Sequence, residues 1–173
     1  LALDNISTAV AAVLASGLNI SHAALSEGIQ NAKLQGRFEV RQIQGKTVIF
    51  DAGHNPHGVE FLLKQLKQYR VHQPQYTEVV SVFSMLTDKD IQSVTELLKD
   101  HIALWKIAAL DVPRAAPLAQ LDTALRFNNV QHFDSVKLAF KSALDETNNN
   151  QLILVCGSFH TLEAVWEYLQ ECQ

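Results

Sequence analysis

Residues 47–58 couple a strand pattern to a helix pattern through a short polar turn, and this coupling limits the folds open to the chain. Residues 47–50 are β-branched or aromatic, which is typical of a buried strand, and Asp51 follows at its carboxyl end. Asn55 can cap a helix, and Pro56 suits the first helical position, where no backbone N–H is needed. Because ligands of open α/β sheets bind at the carboxyl ends of strands, this segment predicts both a fold class and the place of a site.

The alternation of strand and helix patterns continues along the chain. The apolar spacing predicts strands at residues 38–43, 46–51, 78–83, 103–108, 129–132 and 151–156, and helices at 56–69, 89–100, 117–126, 134–145 and 159–170. Gln44-Gly45 lies between the first two strands as a short turn, which predicts a β-hairpin. Strands separated by helices are typical of a mainly parallel sheet with flanking crossover helices, so we expect an α/β fold.

The first 35 residues do not follow this alternation. Residues 5–16 and 21–32 have helical patterns, and Gln35-Gly36 ends them, which predicts a boundary between units 1–35 and 36–173. The apolar faces of this helix pair include Val10, Val13, Leu14 and Leu25. Two helices alone cannot cover such faces, so we expect loose packing on the second unit or self-association.

Composition and charge exclude several classes of partner. The chain has 173 residues and is 47% hydrophobic, which is enough for one α/β domain with a buried core. The formal net charge is −4 without a basic cluster, so nucleic acid is not an expected partner.

No apolar run approaches the ~18–20 residues of a membrane span, and no signal segment opens the sequence. The opening Leu1-Ala2-Leu3 suggests a piece of a longer protein. Cys156 and Cys172 form no disulfide framework, so we expect a cytoplasmic protein.

The polar turn after residue 50 carries the first candidate site residues. Asp51 can receive a phosphoryl group, hold a metal or accept hydrogen bonds from a sugar, or it can be a turn acid without a further role. His54 precedes a helix N-terminus, whose free N–H groups and dipole favour an anion. We expect His57, in the first turn of that helix, to be exposed on its outer side and without a role.

A second strand-to-helix turn carries the other candidates. The apolar residues 152–156 meet Gly157, which permits a sharp turn, and Ser158, which can either cap the next helix or take part in a site. Ser158 lacks the flanking glycines of a nucleophile elbow. His160 follows in the same helix, whereas Asp88-Lys89-Asp90 comes after another strand and is expected mainly to cap a helix.

Five motifs, taken in order, resemble one known family. They are Asn5-x-x-Thr8-Ala9, Gln35-Gly36-Arg37-Phe38, Phe50-Asp51-Ala52-Gly53-His54-Asn55-Pro56-His57, Met85-Leu86-x-Asp88-Lys89-Asp90 and Cys156-Gly157-Ser158-Phe159-His160-Thr161. Together they resemble the carboxyl-terminal part of the bacterial bifunctional dihydrofolate synthase/folylpolyglutamate synthases, within the Mur ligase superfamily. The resemblance covers essentially the whole chain. Gln35 stands where the family commonly has proline, and Ala52-Gly53 varies the usual pair between Asp and His.

The resemblance implies an incomplete ligase. Residues 36–173 resemble a Rossmann-like Mur ligase carboxyl-terminal domain, and 1–35 resemble the last two helices of a central ATPase domain. The phosphate-binding Gly-Lys-Thr/Ser loop of that central domain does not occur in this sequence. The ligands of the Mg²⁺ that accompanies ATP are expected in the same absent part, so the chain alone is expected to be inactive.

The implied reaction is an ATP-dependent ligation used in folate biosynthesis and folate polyglutamylation. ATP phosphorylates the carboxylate of dihydropteroate, or the γ-carboxylate of a folate, and the amine of L-glutamate attacks the acyl phosphate. By the resemblance, the residues that contact ATP are Asn5, Arg37 and Asp51. The residues linked to catalysis are His54 and Ser158, and those linked to the substrates are Asp51, His54, Ser158 and His160. None of them is expected to be a metal ligand.

Three alternatives stay open at the level of the sequence. The chain could be the carboxyl-terminal domain of another Mur superfamily ligase, a receiver-like module with Asp51 as phosphoryl acceptor, or an interaction domain without catalysis. A receiver needs an acidic pair on an earlier strand, and the preceding strand offers only Glu39. The ligase interpretation predicts that the strands ending at Phe50 and Val155 lie side by side, with Asp51, His54 and Ser158 around one cleft.

Overall fold

The computed structural model describes residues 3–32, 34–126 and 129–172. The strands are β1 (Glu39–Ile43), β2 (Lys46–Asp51), β3 (Glu78–Phe83), β4 (Leu104–Ile107), β5 (Val130–His132) and β6 (Gln151–Cys156). The helices are α1 (Leu3–Ala15), α2 (His22–Asn31), α3 (Pro56–His72), α4 (Ile91–Leu98), α5 (Leu118–Leu125), α6 (Val136–Glu146) and α7 (Phe159–Glu171), with a 3₁₀ turn at Lys99–His101. Within these ranges, no helix combines the length and the apolar character that a membrane crossing needs.

The strands form one sheet in the order β1-β2-β6-β3-β4-β5. Every neighbouring pair is parallel except β1 and β2, which are antiparallel. Gln44 and Gly45 join β1 to β2 with φ angles of 49° and 75°, the two positive values that a tight hairpin turn requires. The structure thus confirms the predicted mainly parallel sheet with one hairpin.

Helices cover both faces of the sheet, and each face has its own core. On one face α3, α4 and α5 pack against strand residues such as Ile49, Phe83 and Leu154. On the other face α6 and α7 pack against strand residues such as Phe50 and Val155. Because successive strand residues point to opposite faces, a strand buried on both sides reads as a continuous apolar run, as β2 and β6 do.

The helix pair α1 and α2 is much less buried than the sheet domain. Among the described residues, α2 contains no buried side chain, and Leu14 near the end of α1 is 63% exposed. The two helices border a groove of about 420 Å³ whose lining includes Val10, Val13 and Leu25. Leu14 is therefore exposed, as predicted, whereas Val10, Val13 and Leu25 are only partly exposed.

The two cysteines differ in their surroundings, and this predicts a difference in reactivity. Cys156 is buried at the end of β6, and burial raises the pKa of its thiol to about 12, whereas Cys172 is exposed. Since the thiolate is the reactive form, we expect a thiol reagent at pH 8 to modify only Cys172 while the chain is folded. The Cys172→Ser variant should show no rapid modification in the folded state, and Cys156 should react after unfolding in denaturant. Rapid modification of Cys156 in the folded chain would contradict the packing described here.

Candidate active site

The site lies at the carboxyl ends of β2 and β6, which are neighbours in the sheet. Phe50 pairs with Val155 and Asp51 pairs with Cys156 in the parallel ladder. The predicted side-by-side arrangement of these two strand ends is confirmed. A cavity opens beside the end of β2, where the chain leaves the sheet and enters α3.

Asp51 is buried at this edge, and both of its carboxylate oxygens accept hydrogen bonds from the backbone. The Gly53 amide donates to Oδ1 at 2.7 Å and the Phe38 amide donates to Oδ2 at 2.9 Å. Burial raises the pKa of the Asp51 carboxyl, against the opposing effects of these two amides and of the Arg37 charge. Asp51 is only 4% exposed, so its carboxylate is held firmly by the protein backbone and reaches the cavity over a small area.

The turn before β1 brings Arg37 to the cavity. The Ala52 amide donates to the Gly36 carbonyl at 2.8 Å, which ties this turn to the end of β2. The Arg37 guanidinium lies 5.1 Å from the ring centre of Phe159, the first residue of α7. This cation–π contact orients an exposed side chain and leaves guanidinium N–H groups available for an anion.

His54 is half-buried in the loop between β2 and α3. Its Nδ1 lies 3.0 Å from the Ala52 carbonyl oxygen, so in the neutral ring Nδ1 carries the proton and donates it. The Nε2 atom is then an acceptor. Asn55 caps α3 by accepting from the Gly58 amide at 2.8 Å, and Pro56 is the first helical residue, as the sequence predicts.

One cavity of about 330 Å³ brings most of the predicted ATP and substrate residues together. Its lining includes Asn5 of α1, Arg37, Asp51 and His54. His57 is exposed, as expected, and it also lines this cavity.

Ser158 does not belong to the lining of that cavity, which corrects the expected cleft of three residues. It is the N-cap of α7, and its Oγ accepts from the Thr161 amide at 3.1 Å. Thr161 Oγ1 donates to the Ser84 carbonyl at 2.7 Å, so the Ser158 hydroxyl is the donor in its 2.8 Å contact with Thr161 Oγ1. The hydroxyl proton of Ser158 is thus already committed within the fold.

His160 and the Asp88 region lie away from the Asp51 cavity. The Nδ1 atom of His160 is 3.3 Å from a carboxylate oxygen of Glu163, and this histidine borders a second cavity between the loop after β4, α6 and α7. Asp90 caps α4, as expected for this turn. Asp88 lies between Lys89 at 3.3 Å and Arg114 at 3.5 Å.

The position of Arg114 could not be predicted from the sequence. It belongs to the loop after β4, and it reaches Asp88 because two backbone contacts join this loop to the loop after β3. The Thr87 amide donates to the Arg114 carbonyl at 2.9 Å, and Leu86 forms an isolated bridge with Ala115. No local pattern indicates such a pairing between loops.

Comparison with known proteins identifies the family of this domain. Residues 36–159 match the family described as Mur ligase, glutamate ligase domain. The chain belongs to the Mur ligase family. It is 40% identical over 165 residues to the dihydrofolate synthase/folylpolyglutamate synthase of Escherichia coli (strain K12), an alignment that covers 95% of this chain and 37% of that protein.

Solved structures of Mur ligase family members show the same fold. E. coli FolC, in complex with DHPP and ADP, superposes with a TM-score of 0.86 at 38% identity, and the match covers 99% of this chain and 40% of that one. The bifunctional synthase of Yersinia pestis, complexed with AMPPNP and Mn ion, gives 0.84 at 34% identity, covering 98% of this chain and 40% of that one. This chain therefore spans well under half the length of these relatives.

These similarities confirm the predicted fold, a Mur ligase carboxyl-terminal domain with a mainly parallel sheet. They exclude the receiver-like alternative, which the geometry of Asp51 also disfavours. A phosphoryl acceptor needs an accessible carboxylate, whereas Asp51 is 4% exposed and accepts backbone hydrogen bonds at both oxygens.

Proposed function

We propose that this chain is the carboxyl-terminal part of an ATP-dependent ligase that adds L-glutamate to dihydropteroate, to the γ-carboxylate of a folate, or to both. The observation that carries the proposal is the cavity at the end of β2, where Arg37, Asp51 and His54 meet Asn5 of the helix pair. Relatives with this fold have been solved with ADP and DHPP, and with Mn, AMPPNP and L-glutamate. ADP is a product of the proposed reaction, and L-glutamate is one of its substrates.

In the proposed reaction, a carboxylate oxygen of the folate substrate attacks the γ-phosphorus of ATP, and ADP leaves. The amine of glutamate then attacks the carbonyl carbon of the acyl phosphate, inorganic phosphate leaves, and the amine nitrogen loses a proton. Arg37 would pair with the phosphates, because a guanidinium matches the geometry of phosphate oxygens. Asn5 would contribute a polar contact to the nucleotide from the other side of the cavity.

His54 is suited to the second step. Its Nδ1–H donates to the Ala52 carbonyl, which leaves Nε2 as an acceptor next to the cavity. We propose that Nε2 orients the glutamate amine and takes its proton as the amide bond forms. A fixed ring favours this role, since a general base must be positioned before its basicity matters.

Ser158 and His160 have weaker support as site residues. The hydroxyl proton of Ser158 is committed to Thr161, so we propose that Ser158 fixes the start of α7, and with it Phe159 beneath Arg37. His160 borders the second cavity and would contact substrate only if that cavity joins the site in the complete ligase.

The Mg²⁺ that accompanies ATP would be held outside this chain. In the stretches that the structure describes, no three His, Cys, Asp or Glu side chains are arranged to bind a metal ion. We propose that the ligands belong to the central domain of the complete ligase, together with the phosphate-binding loop.

The helix pair would belong to that central domain. The family match begins at residue 36, and the groove between α1 and α2 is lined almost entirely by apolar side chains. We propose that the rest of a cytoplasmic ligase covers this groove, and that the isolated chain self-associates through it. A small domain that closes on a central domain would also exclude water during acyl transfer.

A domain exchange tests the proposal. Residues 1–173 should show no ligation alone, whereas E. coli FolC with its matching carboxyl-terminal part replaced by this chain should ligate glutamate in an ATP-dependent manner. Lys141→Ala, on the exposed side of α6, is the control and should leave the rate unchanged within about twofold. A folded chimera without activity, or an active 173-residue chain, would overturn the proposal.

A further inference from the structure

Phe159 is an aromatic side chain that stays 46% exposed, although the helix that it opens, α7, packs on the sheet. It belongs to neither of the two cores that the described residues form. The Arg37 guanidinium carbon lies 5.1 Å from the centre of its ring, and a Cβ at Gly36 would lie 3.3 Å from Cε1 of the same ring. Because burial stabilises so exposed a ring only in part, its contact with the turn before β1 is the feature that needs an explanation.

The backbone of that turn is fixed by contacts that do not need the Phe159 ring. The Ala52 amide donates to the Gly36 carbonyl at 2.8 Å, and the Gly36 amide donates to a carboxylate oxygen of Glu39 at 2.9 Å. Removal of the ring should therefore leave the turn in place. What the ring can control is the direction of the Arg37 side chain.

The Arg37 side chain is exposed and is held by few other contacts. Within the described ranges its guanidinium interacts with the Phe159 ring and with the opposite charge of Asp51, and it makes no hydrogen bond or ion pair. A free arginine side chain loses much rotamer freedom when it binds an anion. A ring that restricts the guanidinium beforehand lowers this cost of binding.

The face of an aromatic ring is suited to this task. It attracts a cation that lies over it, and the guanidinium N–H groups that point away from the ring stay free to donate to phosphate oxygens. Leucine fills a similar space without such a face, whereas tyrosine keeps the face. The ring is also anchored, because Ser158 caps α7 and Thr161 of the same turn donates to the Ser84 carbonyl.

We propose that Phe159 is a positioning residue: the face of its ring holds the Arg37 guanidinium at the cavity where the phosphates of ATP bind. This inference rests on the proposed function for its catalytic consequence, since Arg37 is assigned to the phosphates there. The contact itself can be measured in the 173-residue chain without any ligand.

The first test compares Phe159→Leu with Phe159→Tyr by NMR in the 173-residue chain without nucleotide. A ring face shields nearby protons, so the Arg37 side-chain protons should resonate upfield of their usual positions in the parent chain and in the tyrosine variant, and return to those positions in the leucine variant. Arg41 is the internal control and should keep its shifts, because its guanidinium lies over two other rings, those of Phe50 and Trp166. Unshifted Arg37 protons in the parent chain, or equal shifts in all three proteins, would refute the contact.

The second test measures KM for ATP and KM for glutamate in the FolC chimera. Phe159→Leu should raise KM for ATP about three- to fivefold, the size expected for a cation–π contact, with KM for glutamate changed less than about twofold. Phe159→Tyr should stay within about twofold of the parent in KM for ATP, which a role in packing alone would not predict. If Phe159 acts through Arg37, Phe159→Leu should have no further effect in an Arg37→Ala background.

Three kinetic results would overturn the inference. They are an unchanged KM for ATP in Phe159→Leu, an equal rise in the leucine and tyrosine variants, and a rise that persists in the Arg37→Ala background. An inactive chimera would refute the proposed function alone, because the NMR comparison still decides whether the ring holds Arg37.

Discussion

Gly157→Ala is expected to lower the free energy of unfolding by at least about 3 kcal/mol, the largest stability effect of the substitutions considered. Gly157 has a φ of 108°, and a Cβ there would lie 2.3 Å from the Ser84 carbonyl oxygen and 2.9 Å from the Phe83 ring. The contacts involve backbone and a core ring, so the end of β6 would have to move away from β3. Urea unfolding followed by circular dichroism measures the loss.

Gly45→Ala is the matched control for this prediction. Gly45 has a φ of 75° but no atom within 4 Å of the added Cβ, so its substitution isolates the conformational cost, about 1 kcal/mol. The difference between the two variants reports the steric contact at the end of β6. Equal losses would show that the turn from β6 into α7 is less tightly packed than described.

His54→Ala should lower kcat/KM for glutamate by at least about a hundredfold in the FolC chimera, because it removes the acceptor proposed for the amine. His54→Asn is the sharper variant. Its side-chain amide can still donate to the Ala52 carbonyl but offers no group at the position of Nε2. We expect it to be as inactive as His54→Ala, while KM for ATP changes little.

His57→Ala is the control for this site, since His57 lines the same cavity from the first turn of α3. It is exposed and has no hydrogen bond among those described for the chain, so we expect less than a threefold effect. If His57→Ala proved as damaging as His54→Ala, or if both were harmless, the role assigned to His54 would be wrong.

The features that the sequence predicted are those controlled by neighbouring residues. Asn55 and Pro56 predict the start of α3, and Gln44-Gly45 predicts the hairpin. The apolar runs of β2 and β6 predict buried strands. Each depends on capping, turn conformation or periodicity, which act over a few residues. The fold class and the edge of the sheet that carries the site followed from these local signals.

The features that the sequence did not predict depend on contacts between distant segments. The turn around Gly36 reaches Asp51 only after β1 and β2 have paired, and Arg114 reaches Asp88 only through the contact between two loops. Whether Ser158 faces a cleft or the interior depends on Ser84 and Thr161, which come from different elements. The spacing of residues along the sequence does not indicate these contacts between distant segments.

The strand order also has a consequence for the growing polypeptide on the ribosome. β6, the last strand along the described sequence, lies in the middle of the sheet between β2 and β3. β2 and β3 each pair with β6 in the folded domain. Until residues 151–156 have left the exit tunnel, the edges of β2 and β3 that pair with β6 stay unpaired. The pair β1-β2 and the group β3-β4-β5 therefore expose apolar strand edges, which can aggregate with other chains, until synthesis of this domain is nearly complete.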